Sequence, residues 1–418
     1  MARSAKNLVS ESAWLRGLPR EVKVLAAIAF CVALGFGIVV PSIPIYAVSF
    51  GVSAVLAGAV VSVFALARLI SSPVAGAFVD RIGERRVLTT GLVIVACSSV
   101  LAGLAQNYPQ LLILRGLGGI GSSMFTVSAM ALTLKVARPE QRGRAAGAFH
   151  GGFLIGGVAG PAVGGAVVAI SLRAPFFVYA VTLAVAALIA WRLLPPAPGK
   201  EDPTSSDQAQ LAADHPPPTL GQALRDRAFL AALAGNLTNG LVTFGLRSSL
   251  VPLFVVLGLR EDATLSSIGF LVAAGTQAVL LLPAGRLADT NGRKRALILG
   301  TALTLLGMLA LVIAGSSVMF LTAMAISGLA GAFMGSAPAA IAGDVVGPSG
   351  KGTVIAVFQM TADLGAIIGP LLAGLLADQL GFAPAFAIGA ATAALALALA
   401  AVMPETLHRA RQTHPRDG

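Results

Sequence analysis

The chain has 418 residues, of which 56% are hydrophobic and only 11% charged, and its mean hydropathy is +0.86. A soluble domain carries about 25% charged residues, so lipid must replace water over much of this surface. The net charge of +11 would suit a nucleic-acid partner, but the basic residues lie in short loops between apolar runs, which excludes that reading.

At the N-terminus, Arg16, Arg20 and Lys23 precede an apolar run from Val24 to about Val48. The run exceeds the roughly 7–15 residues of a signal-peptide core, and it is read as an uncleaved first span. Further runs long enough to cross a bilayer follow near 55–79, 88–106, 110–134, 146–170 and 174–194. They resume near 230–256, 265–287, 296–314, 317–340, 354–377 and 382–403. The runs are continuous and lack strand-like alternation, so helices are expected. The expected fold is all-α and integral to the membrane: twelve spans in two pseudo-symmetric six-helix bundles. Residues 1–194 form the first bundle and 228–403 the second. Between them 195–227, with Pro195-Pro-Ala-Pro198 and Pro216-Pro-Pro218, reads as a polar linker, and 404–418 as a tail.

An internal repeat supports the halves. Gly76, Asp80, Gly83 and Arg86 recur as Gly285, Asp289, Gly292 and Arg295, each 209 positions later. Gly156, Gly160, Pro161 and Gly165 recur at the same offset as Gly365, Gly369, Pro370 and Gly374. Such a tandem arrangement suits two halves moving about a central site. With an even number of spans, 24 of the 29 Lys and Arg residues fall on one side, and only Arg173 and Arg260 in loops on the other. That bias places both termini and the linker in the cytoplasm, with the chain a multi-pass protein of the cell membrane.

Gly76, Asp80, Arg81, Gly83, Arg85 and Arg86 after span 2 resemble the signature loop of the major facilitator superfamily, and the second copy adds Arg293 beside Gly285, Asp289 and Gly292. As an ordinary positive-inside loop the segment would explain its arginines but not the shared spacing. In span 5, Gly147, Gly156, Gly160, Pro161, Gly164 and Gly165 are similar to the pattern of that superfamily's antiporters. Small residues four apart also simply let helices pack closely. In span 4, Leu114-Arg115 resembles the superfamily's arginine motif, implicated in proton coupling, although Gly118 stands where glutamine is usual. The resemblance covers about 24–403 and implies the twelve-span drug:proton antiporter group, which includes multidrug and tetracycline exporters. It further implies that Asp80 meets the N-terminus of span 11 around Gly352-Thr353 when the halves close on that side. Pseudo-symmetry assigns Asp289 to span 5 around Gly143-Arg144.

Charges within spans mark ion or substrate pathways, or else static pairs that hold helices in register. Arg68 and Asp363 each fall near the midplane, ~18 Å and ~15 Å from the cytoplasmic ends of their spans at 1.5 Å per residue. Asp363 is the expected proton carrier and Arg115 a charge that tunes it, while Arg247, nearer a span end, could snorkel. Asn236, Asn239, Gln277 and Gln359 are expected on an apolar substrate cavity, with His150 as a further candidate. Cys31 and Cys97 lie in apolar runs, and the glycines of 116–121 lie in a helix, so no metal or dinucleotide site is expected.

The reading is a secondary transporter, not an enzyme: a proton-coupled antiporter exporting amphiphilic small molecules, drugs among them. It needs no cofactor beyond the proton gradient. Its partners are the substrate, protons and the bilayer, with the chain a monomer. The alternatives are a carrier of one metabolite, such as a sugar, amino acid or siderophore, and a membrane enzyme acting on lipid precursors.

Overall fold

The computed structural model describes residues 17–137, 141–195, 219–346 and 352–407. Among them twelve helices are long and apolar enough to cross a membrane. In the first half these are α1 (Arg20–Val48), α2 (Ala54–Ile82), α3 (Glu84–Gly103), α4 (Tyr108–Val136), α5 (Arg142–Ile170) and α6 (Ala174–Leu193). The second comprises α7 (Arg227–Gly258), α8 (Ala263–Thr290), α9 (Arg293–Val312), α10 (Ser317–Val346), α11 (Gly352–Leu380) and α12 (Phe382–Val402). A helix satisfies its backbone groups within itself, which is why continuous apolar runs in lipid take this form.

Three spans are less regular than the sequence reading had them. α1 is interrupted at Val40–Pro41, α7 contains two π-helical stretches, Gly240–Leu246 and Phe254–Gly258, and α10 breaks after Met334. Proline lies in or beside each: Pro41 and Pro44, Pro252, and Pro338. The ring removes an N–H and opens the ladder where it sits. α10 also runs on to Val346, beyond the expected 340. Most of the linker and tail expected at 195–227 and 404–418 lies outside the described residues. Thr219 and Gln222 form a capping box on a short turn, Leu220–Ala223, and Asp226 then caps α7 by accepting from Ala228 N–H at 2.8 Å.

The two halves are built alike. α1 packs on α5 and α6, α2 on α4, and α3 on α4 and α6; α7 packs on α11 and α12, α8 on α10, and α9 on α10 and α12. Glycine permits the closest crossings. A Cβ on Gly152 would lie 2.2 Å from the Ala26 carbonyl oxygen, and one on Gly240 2.1 Å from that of Ala362. Gly83 and Gly292, at repeat positions, turn the chain into α3 and α9 with φ of 87° and 121°, a region that favours glycine.

The halves meet along α2 with α11 and α5 with α8, and α7 adds contacts to α1 and α2. Leu253, Ala377 and Phe382 of the second half join the apolar core of the first. Ala54, Gly58 and Ser62 touch Asp378, Pro370 and Ile367 respectively, and Gly165 faces Thr264 and Ser267. All of these lie between the middle of the molecule and the end where α2 and α8 begin. At the other end, that of the signature loops, Gly76, Gly147 and Gly285 face open space. Among the described residues, the halves are therefore joined at one end and parted at the other.

Candidate functional site

Halfway along α2 and α11, Arg68 Nη2 donates to Asp363 Oδ1 at 2.5 Å. These are the two midplane charges of the sequence, and they form one ion pair across the interface. Their side chains keep 38% and 24% exposure, so the pair is not desolvated in a closed core. This contact uses one arm of the guanidinium. Ser62 Oγ donates to Ile367 O at 2.7 Å one turn nearer the sealed end.

At the sealed end, sequence reasoning missed Asp378. Its carboxylate accepts from Ala54 N–H at 2.8 Å and Val55 N–H at 2.9 Å, the exposed first amides of α2. Ser53, the natural cap residue there, makes no capping bond, so the opposite half supplies one. The repeat does not copy this device. Asp262 caps α8 itself, and bonds from the Thr264 hydroxyl and backbone N–H hold its carboxyl below the usual carboxylate range. Asp378 lies one residue past the expected run 354–377, and Ser53, a good cap by sequence, gave no sign that the other half supplies the cap. Asp378→Asn should loosen this end, raising the labelling rate of a cysteine at Ser62 about fivefold, as about 1 kcal/mol of partly exposed charge-assisted bonding is lost. An unchanged rate would show the contact to be energetically idle.

The signature loops differ in wiring. In the second copy Arg293 pairs with Asp289 and, at 3.3 Å, with Asp344 of α10. Glu405 accepts from Arg293 N–H at 2.8 Å, and Thr406 Oγ1 donates to Asp344 at 2.9 Å, so the segment after α12 is docked on this loop. In the first copy the repeat positions of Arg293 and Asp344 carry Glu84 and Lys135, which pair at 2.9 Å with the charges exchanged. Arg85 donates to Trp191 O, and Arg81 and Arg86 are exposed. Asp80 is exposed and has no ion pair among the described residues. Its expected partners at Gly352-Thr353 fall on side chains outside them, as does Gly143 for Asp289. Asp289 is already held within its own half and Asp80 is not. Asp80→Asn should therefore slow turnover several-fold while Asp289→Asn has the smaller effect. Equal effects in a transport assay would contradict this asymmetry.

Arg115 on α4 is buried, its guanidinium 4.5 Å from the Phe64 ring centroid, and its Nε has no hydrogen-bond partner. A Cβ at Gly118 would meet Ser98 Oγ at 2.8 Å and Phe64 at 3.4 Å. That explains the missing glutamine: the position has no room for it, and a ring takes its place beside the arginine. Three of the α5 glycines serve as packing: a Cβ on Gly156 or Gly160 would strike the carbonyl oxygens of Phe30 or Leu34 on α1, and Gly164 faces Ile38. The second copy packs the same way, Gly365 and Gly369 against Leu237 and Leu241.

Of the expected cavity groups, Asn239 lines a cavity between α7, α9 and α10, together with the intramembrane charge Arg247, and Gln277 sits beside its Gly331 wall. Arg247 does not snorkel; its Nε is buried without a partner. Asn236 differs from expectation. It is buried and its amide donates to Phe358 O at 2.6 Å and Thr361 Oγ1 at 3.2 Å, a bridge from α7 to α11 and not a cavity wall. Gln359 and His150 are exposed, the latter edge-on to Phe149.

A family model described as Major Facilitator Superfamily matches residues 25–276 and 237–418. Quinolone resistance protein NorA of Staphylococcus aureus is 28% identical over 170 residues, 41% of this chain and 44% of that protein. Multidrug resistance protein 2 of Bacillus subtilis is 27% identical over 190 residues, 46% of each. The chain thus spans under half the length of these curated relatives. Among solved structures, a bacterial homolog of the human lysosomal transporter Spinster, inward-facing and unoccupied, superposes with a TM-score of 0.71 at 18% identity, covering 94% of this chain and 96% of that one. The nucleoside transporter NupG gives 0.66 at 17% identity, covering 91% and 97%. At these identities the likeness is one of fold.

Proposed function

Because the chain belongs to the Major Facilitator Superfamily, and is a multi-pass membrane protein of twelve spans, we propose that it is a proton-coupled antiporter exporting amphiphilic small molecules by alternating access. The observation that carries the coupling is the Arg68–Asp363 pair, a midplane carboxylate held by a cation of the opposite half. An ionised Asp363 ties α11 to α2. A proton added to its carboxylate removes the charge that Arg68 faces and lowers the cost of parting the halves; loss of the proton restores the pair. Binding energy that differs between two states is what shifts their populations. Likeness to quinolone- and multidrug-resistance proteins supports drugs as cargo, and the basic loops support a cytoplasmic placement of the parted end.

The test is accumulation of a fluorescent cationic dye in cells with and without the protein. Lower accumulation, abolished by a protonophore, is expected; accumulation unaffected by the protein, or efflux indifferent to the protonophore, overturns the reading. Orientation is tested separately. A cysteine at Ser206 in the linker should resist an impermeant maleimide in intact cells and react once they are opened. Labelling from outside would invert the topology.

A further inference from the structure

α3 and α6 pack on each other and on α4 and α1 of their own half. Each keeps an exposed face. On α3, Arg86, Val93 and Val100 are exposed at spacings of two helical turns, so they share one side. On α6, Val181, Val185 and Leu188 form an exposed apolar stripe that ends in exposed Arg192. α3 begins and α6 ends at the signature-loop end, so each stripe carries one arginine there. Between the two, Arg85 donates to Trp191 O and ties the start of α3 to the last turn of α6. The Trp191 ring is 57% exposed, with the Arg192 guanidinium 5.6 Å from its centroid. Tryptophan beside arginine at the end of an apolar face is the composition of a membrane interface.

The second half answers the charge of the same corner from within the chain. Arg293 pairs with Asp289 and Asp344, and Glu405 accepts from the N–H groups of Arg293 and Lys294. Residues 399–402, the last turn of α12, hold neither an aromatic nor a charge. In the first half Pro196 stands 209 positions before Glu405, so that carboxylate has no counterpart. Glu84 is spent on Lys135, which leaves Asp80 of α2 against Arg81, Arg85, Arg86 and Arg192. Neither Arg86 nor Arg192 makes an ion pair among the described residues. A positive corner above two apolar stripes is complementary to a molecule with an anionic head and acyl chains.

We infer that this face of α3 and α6 binds an anionic phospholipid, its phosphate between Arg86 and Arg192 and its chains along the two stripes. The stripes favour a lipid over free phosphate. The excess of arginine over carboxylate favours a net negative headgroup over a zwitterionic one. Neither point depends on what the chain transports.

Trp14 and Trp191 are the two tryptophans of the chain, so in a Trp14→Phe background Trp191 reports its own lipid neighbours. The full-length protein is placed in phosphatidylcholine vesicles containing a small fraction of phosphatidylglycerol brominated on its acyl chain near the headgroup. Brominated phosphatidylcholine at the same fraction is the control. Phosphatidylglycerol should quench Trp191 with an apparent affinity about tenfold or more above that of phosphatidylcholine, since a basic residue at the surface adds about fivefold. Arg86→Gln and Arg192→Gln should each lower that ratio about fivefold, and together they should erase it. Both side chains are exposed, so the variants should fold, and Arg→Lys at either position should keep most of the preference because the charge remains. Equal quenching by the two lipids in the Trp14→Phe protein, or quenching by neither, overturns the inference. A preference that survives the double substitution does the same. Loss of the preference on adding inorganic phosphate would assign the arginines to a small anion and likewise overturn it.

Discussion

Asp363→Asn should abolish transport driven by a pH gradient while leaving a folded protein in the membrane. The asparagine keeps the size of the side chain and an oxygen that can still accept from Arg68 Nη2, so the contact at 2.5 Å between α2 and α11 survives as a neutral acceptor. What disappears is the titration: no proton can be gained or lost at that position, and the pair cannot switch. The partial exposure of both side chains means the fold does not hang on a desolvated ion pair, so loss of the charge is tolerated. Proteoliposomes with an imposed pH gradient separate these outcomes. Gradient-driven flux should fall to background while downhill exchange of substrate continues. Full gradient-driven flux would remove Asp363 from the coupling scheme. Arg68→Lys should keep much of the activity, because the contact with Asp363 uses one nitrogen of the guanidinium and an ammonium can replace it. Its complete loss would point to both arms of the fork being used in another state.

Gly58→Val should hold the sealed end open and stop turnover. A Cβ at Gly58 would come within 2.5 Å of the Pro370 carbonyl oxygen, and backbone on both sides leaves nothing flexible to yield. The same is true at Gly374, whose Cβ would meet Val55 Cα at 2.5 Å. Both contacts lie between halves, not within one. The clash is relieved by moving two rigid bundles apart, so the protein should fold and be displaced toward the state open at this end. That distinguishes it from Gly152, where a side chain would split α1 from α5 inside a bundle. Accessibility of a cysteine at Ser62, 4% exposed in the sealed state, reports the shift. In a background where Cys31 and Cys97 are serine, Gly58→Val should raise its labelling by an impermeant maleimide at least tenfold, since a backbone clash costs more than 1.4 kcal/mol. Unchanged labelling with normal transport would mean that this seal is not made in the working cycle.

Twelve spans, their helical form and the two-fold repeat were determined by the sequence alone, because each follows from a rule that acts locally. Lipid forbids unpaired backbone, so an apolar run of span length becomes a helix wherever it stands, and Ala54–Ile82 lies within a few residues of the expected 55–79. The 209-residue offset carried the turn glycines Gly83 and Gly292 and the packing glycines of α5 and α11 with it. Tertiary structure decided which charges meet. Arg68 and Asp363 are 295 residues apart, and nothing near either one names the other. It also decided that Asn236 bridges two helices while Asn239, one turn on, borders a cavity. At the signature loops the charges do not follow the offset, since Glu84 and Lys135 exchange those of Arg293 and Asp344. Pairing depends on the product of two charges, so reversing both preserves the contact, while the neighbouring aspartate is held in one half and makes no ion pair among the described residues in the other. Which end is sealed is likewise a property of the assembled bundles. It rests on a few contacts between halves, such as Asp378 on the first amides of α2, whose small free energies no span-by-span reading contains.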